Sequence, residues 1–192
     1  GDETIDNIYR CYFWMAYGGI DEDDTIFIRN EDVDFSEMII RYKTISVPIY
    51  REALPAFRNA VNLTSFVYRH PNYSKTIRRD RVPGDTIMRG IKAVTKTFTM
   101  RATLSKRNIK AVEEGKTDMQ LSFYRVRMSG LFYRIYEMER AGIAPNFSDA
   151  ALRVMDGKTY SLKGREKIEH KQNRIERDYM EDYQRWKLAF SI

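Results

Sequence analysis

Apolar residues recur every three or four positions along much of this 192-residue chain, which is the spacing of amphipathic helices. The first helix is predicted over Thr4 to Tyr17, and Gly18-Gly19 would end it. A second helix is predicted from Phe35 to about Ser46. Asp34 is a good N-cap for that helix, and Glu37 completes a capping-box-like pattern.

The helical spacing continues through the rest of the chain. Further helices are predicted over Ala56 to Arg69, Thr86 to about Glu114, Asp118 to Ala141, Ala150 to Met155 and Leu162 to about Phe190. The last helix is strongly charged, and its apolar residues form a narrow stripe that would dock on this domain or on a neighbour. The members of the stripe are Ile168, Ile175, Tyr179, Tyr183, Trp186 and Phe190.

Together these elements predict an all-α fold. We expect an irregular helical domain over residues 1–157, followed by an extended C-terminal helix over residues 158–192. A hydrophobic share of 43% is enough to build a core for a domain of this size.

The charges of the chain are distributed unevenly around a net charge of +6. Residues 1–40 carry eleven acids and two bases, whereas residues 75–110 carry eleven bases and two acids. The acidic stretch Asp21 to Asp24 is expected to be a solvated loop. The asymmetry predicts an acidic or polyanionic partner for the basic segment, unless the two segments neutralise each other inside the fold.

The sequence shows no pattern typical of an enzyme. It has no glycine-rich phosphate loop and no Ser, His or Asp in a recognised nucleophile context. One cysteine and two histidines exclude a disulfide framework and a Cys- or His-rich metal site. We therefore expect no catalytic residue, no metal and no small-molecule substrate. Tyr, present 13 times, and Arg are instead residues typical of interface hot spots.

Short motifs follow one another in a characteristic order over residues 8–73. They are Ile8-Tyr9-Arg10 with Tyr17, Ile28-Arg29-Asn30, Phe35-Ser36-Glu37-Met38-Ile39, Ser46 with Tyr50-Arg51, and Phe57-Arg58 through to Arg69-His70-Pro71. In this order they resemble the phycobilisome linker domain, of the red-algal rod or gamma type. The resemblance covers about a third of the sequence.

The resemblance implies a non-enzymatic scaffold that binds within phycobiliprotein rings, organises a light-harvesting antenna and tunes energy transfer. Its partners would be acidic phycobiliprotein hexamers or trimers and other linkers. It would lie in the chloroplast at the stromal face of the thylakoid membrane, peripheral to the membrane through the phycobilisome. Gamma-type linkers carry bilins on cysteines, so the resemblance also implies a covalent bilin on Cys11 as a candidate cofactor.

Partner contacts are predicted from the motifs, from the basic segment and from the C-terminal stripe. The predicted partner-binding residues are Tyr9, Arg10, Arg29, Tyr50, Arg51, Arg58, Arg69, Tyr73, Arg78, Arg79, Arg81 and Trp186. The C-terminal helix would contact the next ring of the antenna.

A second interpretation stays open, namely a nucleic-acid-binding or virion structural protein. The bases of residues 75–110 could contact phosphates, and Tyr73 and Phe98 could stack on bases. The acidic first segment argues against this interpretation because it would repel a polyanion.

Overall fold

The first predicted helix is present at the centre of the fold. The computed structural model describes residues 5–43, 45–69, 76–90, 97–118, 121–143 and 179–192. Helix α1 spans Ile5–Gly18 and ends at Gly19, whose φ of 110° lies in the left-handed region that glycine adopts easily. Its buried face includes Cys11, Tyr12 and Met15, which belong to the main hydrophobic core.

The predicted helix from Phe35 to Ser46 is wrong, because this stretch forms an antiparallel sheet. The sheet has the order β1 (Val33–Asp34), β2 (Ile39–Tyr42) and β3 (Ile45–Pro48). Ile40 lies opposite Val47, and both side chains are buried. β-branched residues such as these favour a half-buried strand.

Asp34 does form hydrogen bonds typical of a helix cap, but here they stabilise a turn. The Asp34 Oδ1 atom accepts hydrogen bonds from the backbone N–H groups of Ser36 and Glu37, each at 3.0 Å. Met38 then adopts a φ of 58°, which reverses the chain into β2 instead of continuing a helix. An Asp side chain that caps a helix can make the same local bonds in a turn.

The predicted helix over Ala56 to Arg69 is also only partly correct. Helix α2 spans Leu54–Asn62 and begins with Pro55 in its first turn. The chain then enters β4 (Ser65–Arg69), which pairs with the antiparallel strand β5 (Thr76–Asp80). Phe66 of β4 is fully buried and ties this hairpin to the main core.

The all-α prediction is therefore corrected: the described residues form a mixed α/β fold with two antiparallel sheets. Residues 86–90, predicted to begin a helix, instead contact the backbone beside α1, where the Ile87 N–H donates to the Ile28 carbonyl at 2.9 Å. Helix α3 spans Thr97–Glu113, and Gly115, with a φ of 67°, follows it.

Helix α4 spans Phe123–Arg140 and packs closely on α1. It begins later than predicted, because the Ser122 hydroxyl caps it by accepting a hydrogen bond from the Arg125 N–H at 3.2 Å. Gly130 faces the end of α1, and a β-carbon at this position would lie 1.9 Å from the Tyr17 carbonyl oxygen. The absence of a side chain at this position therefore sets how closely the two helices approach.

Helix α5 is described over residues 179–190, and it packs on α4. Tyr183 is buried against Leu131, Phe132 and Ile135 in a second, smaller core. The described part of the predicted apolar stripe thus docks on this chain itself. The predicted helix over Ala150 to Met155 and the predicted domain boundary at residue 157 lie outside the described residues. No helix in the described part of the chain has the length and apolar character needed to cross a membrane.

Candidate partner-binding surfaces

The acidic residues after α1 are engaged within the fold, so the expectation of a solvated loop is wrong. A short 3-10 helix spans Glu22–Phe27. The Glu22 carboxylate accepts hydrogen bonds from Arg101 at 2.8 Å and 2.5 Å and from the Tyr12 hydroxyl. Asp21 pairs with Arg127, and Asp24 pairs with Lys43 at 2.7 Å.

This network changes the charge balance of the acidic segment. Burial alone would raise the pKa of Glu22, but hydrogen bonds from Arg101 and Tyr12 outweigh burial and lower it. One base of the predicted basic segment is thereby neutralised by an acid of the first segment. The internal neutralisation considered from the sequence therefore occurs in part.

Arg81, predicted to contact a partner, lies inside the protein with only 6% of its surface exposed. Its guanidinium donates hydrogen bonds to the backbone carbonyls of Ala60, Leu63, Ile87 and Arg89 at 2.7 to 3.0 Å. Burial, together with the nearby charge of Arg89, lowers the pKa of Arg81 to about 10. The structure corrects this prediction, because Arg81 braces the end of α2 against the loop after β5.

Arg89 is a second internal base of the same segment. Its guanidinium donates to the Thr86 carbonyl at 2.9 Å and to the Asn30 side chain at 3.3 Å, and burial lowers its pKa. Arg81, Arg89 and Arg101 are therefore engaged within the chain. The positive electrostatic field that residues 75–110 present to a partner is therefore weaker than their number of bases suggests.

Two exposed bases of the segment, Arg78 and Arg79, lie side by side on a hairpin, and further exposed bases lie on α3. We call β4 and β5 together the basic hairpin. All five residues of β5 are exposed, including the neighbouring Arg78 and Arg79. Arg78 donates to the Ser65 hydroxyl across the hairpin at 2.7 Å. Because neighbouring side chains of a strand point to opposite faces, the two arginines place positive charge on both faces of the hairpin.

The remaining predicted arginines have mixed surroundings. Arg10 and Arg51 are exposed. Arg29 pairs with Glu31 at 3.2 Å and with Asp85 at 3.5 Å. The Arg58 guanidinium lies over the Phe35 ring, 6.0 Å from its centroid.

Three further residues that were predicted to bind a partner are Tyr9, Tyr73 and Arg69. Tyr9 is half-buried against the main core. Tyr73 lies outside the described residues, and only the backbone of Arg69 is described, in β4.

Cys11 is fully buried among the side chains of the main core. Desolvation by burial raises the pKa of its thiol, which suppresses the thiolate needed for covalent chemistry. A bilin on Cys11 would therefore require the core to open around this residue. Among the described residues, no group of three or more His, Cys, Asp or Glu side chains is placed to hold a metal ion.

The structure brings two predicted contact residues, Tyr50 and Trp186, to one groove of about 680 Å³. Since α1 and α5 both pack on α4, the groove lies over α4 between them. We call it the aromatic groove, and its aromatic lining is Phe13, Trp14, Tyr17, Tyr50, Tyr133, Tyr136, Trp186 and Phe190. Its volume lies within the range of about 300–1,000 Å³ typical of ligand-binding pockets.

The rings of the groove hold one another in fixed orientations. Tyr50 meets Tyr17 edge to face at a centroid distance of 5.1 Å, and Tyr50 meets Tyr133 at 6.0 Å. Trp186 donates a hydrogen bond from its indole nitrogen to the Ser129 hydroxyl at 3.0 Å. Contacts of this kind organise the groove before any ligand binds, and they favour affinity by reducing the ordering cost.

Arg134 supports the groove from within the protein. Its guanidinium donates to the Tyr17 carbonyl at 2.7 Å, and burial lowers its pKa. It therefore anchors the last turn of α1 to α4. Arg134, Tyr133 and Tyr136 were not predicted from the sequence as site residues.

The described residues thus present two candidate binding surfaces, a basic hairpin and an aromatic groove. Comparison with known proteins identifies no relative: no family model, no curated protein and no solved structure matches this chain.

Proposed function

We propose that this chain is a non-enzymatic linker that binds an acidic protein host, as the likeness to phycobilisome linker domains implies. In that setting the host is an acidic phycobiliprotein ring, and the chain organises a light-harvesting antenna at the thylakoid surface. The observation that carries the proposal is the basic hairpin, on which every residue of β5 is exposed and Arg78 and Arg79 are neighbours.

The hairpin is suited to this role because its arginines project from a defined backbone. The β4 and β5 strands are held in register by pairs from Ser65 opposite Asp80 to Arg69 opposite Thr76. Phe66 anchors the hairpin in the core. Arginine also binds carboxylates in a bidentate geometry that lysine cannot provide.

The proposal can be tested by measuring the affinity of the purified chain for phycobiliprotein hexamers by calorimetry at low and high salt. We expect R78E/R79E to weaken binding about tenfold, since each reversed charge at an exposed interface costs up to about 1 kcal/mol. The matched control is K106E/K110E, which makes the same charge change on exposed positions of α3.

The control separates a local contact from the effect of net charge. Equal losses for the two double variants would show that only overall charge matters, and they would contradict the role of the hairpin. Absence of binding to phycobiliprotein would refute the linker function itself. Tight binding to single-stranded nucleic acid that weakens steeply with salt would instead favour the second interpretation.

A further inference from the structure

The aromatic groove carries one charged side chain in its lining, that of Glu52. This carboxylate is exposed and makes no hydrogen bond or ion pair within the described part of the chain. Asp21, Glu22 and Asp24 differ from Glu52, since each of them is paired with a base. An unpaired carboxylate beside an apolar groove favours a ligand that combines a cation with apolar groups.

The aromatic rings that line the groove together with Glu52 favour the same chemistry. The rings of Tyr17 and Tyr50 lie in edge-to-face contact, and the ring centroids of Trp14 and Tyr50 are 6.3 Å apart. The faces of Tyr and Trp rings attract cations, and their surfaces also pack against the methylene stems of Lys and Arg.

The shape of the groove indicates the conformation of the ligand. Its α4 lining consists of Val126, Ser129, Tyr133 and Tyr136, which share one face of that helix at spacings of three and four residues. The face extends about 15 Å at 1.5 Å per residue, which matches roughly two to three turns of a further helix. An amphipathic helix laid between α1 and α5 would complete the packing around α4.

From these observations we propose that the aromatic groove binds an amphipathic helical segment of a partner protein, with aliphatic side chains on α4 and a Lys or Arg at Glu52. This surface is distinct from the basic hairpin and prefers the opposite charge. The inference does not rest on the linker function, and it gives the chain a second contact at which to join another component.

Two features of the chain make this proposal easy to test. Both tryptophans of the sequence, Trp14 and Trp186, line the groove, so intrinsic fluorescence reports directly on its occupancy. The chain as a whole carries a net charge of +6, so a cationic peptide is not attracted to it by bulk charge. Binding of such a peptide therefore indicates a local site.

The experiment titrates the full chain with a 14-residue amphipathic peptide of Leu and Lys and, separately, with the same peptide carrying Glu in place of Lys. We expect the Leu/Lys peptide to change tryptophan emission saturably and the Leu/Glu peptide to bind at least about tenfold more weakly. E52Q should weaken the Leu/Lys peptide about two- to fivefold, as expected for an exposed ion pair. The matched control E113Q, at an exposed position of α3, should leave its affinity unchanged.

Several results would overturn the proposal. These are equal binding of the two peptides, identical affinities of E52Q and the unmodified chain, or no saturable change in tryptophan emission. Sedimentation that shows a dimer weakened by E52Q would assign the groove to self-association instead. A loss of hairpin binding to an acidic host leaves all these readouts unaffected, so the two proposals fail separately.

Discussion

Substitution of Gly130 by Ala tests the packing of α4 on α1, on which the aromatic groove depends. The added β-carbon would lie 1.9 Å from the Tyr17 carbonyl oxygen, 2.7 Å from the Tyr17 carbonyl carbon and 2.9 Å from its α-carbon. These atoms belong to the backbone, so no side-chain rotation can relieve the overlap. The two helices must separate at this crossing.

The expected loss of stability is the balance of three contributions. Overpacking of a well-packed core costs about 1–3 kcal/mol, and more where backbone must move. Replacing Gly by Ala within a helix contributes about 1 kcal/mol in the other direction. The separation would also stretch the 2.7 Å hydrogen bond from Arg134 to the Tyr17 carbonyl, which contributes about 1 kcal/mol more. We therefore expect G130A to lower the free energy of unfolding by about 1–3 kcal/mol.

Urea unfolding followed by circular dichroism measures this loss, with tryptophan fluorescence as a second probe of the groove. The control is G84A, because a β-carbon at Gly84 would lie 3.5 Å from Arg89 Cδ, an ordinary van der Waals contact. We expect that variant to change stability by less than about 0.5 kcal/mol. If G130A proves as stable as G84A, the close approach of α1 and α4 described above is incorrect.

Three further predictions concern the interior of the fold. R81M should lower the free energy of unfolding by about 2–4 kcal/mol in urea titrations, because the buried carbonyls lose their hydrogen-bond donor. The control R79M, at an exposed position, should change the free energy of unfolding by less than about 0.5 kcal/mol. Similar losses for the two variants would contradict the bracing role of Arg81. Because the pKa of Glu22 is lowered in the folded state, its ionised form stabilises the fold above its usual pKa of 4.5, and this stability is lost as pH falls through the lower folded pKa. Thermal melts should show the unmodified chain more stable than E22Q at pH 7 and the difference shrinking toward pH 3, whereas a constant difference would refute the assignment. Cys11 should react with a thiol reagent only in denaturant, and rapid reaction of the native chain would show that the thiol is accessible.

Local patterns predicted helices well where one face was continuously apolar and glycine marked the end. Helix α1 was predicted to within one residue at each end, and α4 ends at Arg140, one residue before the predicted end, with Gly142 at a φ of 71° after it. The secondary-structure predictions failed where one local interaction is compatible with two different structures. Asp34 makes the hydrogen bonds of a helix cap, but β-branched pairing between Ile40 and Val47 determines that the chain forms a sheet.

The charged residues show a different limit of sequence reasoning. The count of bases over residues 75–110 is correct, but it does not reveal that Arg81 has four carbonyl acceptors drawn from two separate segments. Nor does it reveal that Arg101 meets Glu22 across the fold. A net charge predicts a field only where the side chains remain exposed, and exposure depends on tertiary contacts.

The aromatic groove could not be predicted as a unit because its walls come from distant parts of the chain. Tyr50 and Trp186 were both predicted to contact a partner, for unrelated reasons, and only the packing of α1 and α5 on α4 places them together. Glu52 of the groove has no charged partner among the residues that the structure describes, while the basic hairpin keeps exposed arginines. Two surfaces with opposite charge preference on one chain would suit a protein that joins unlike components, since neither component would compete for the other's site.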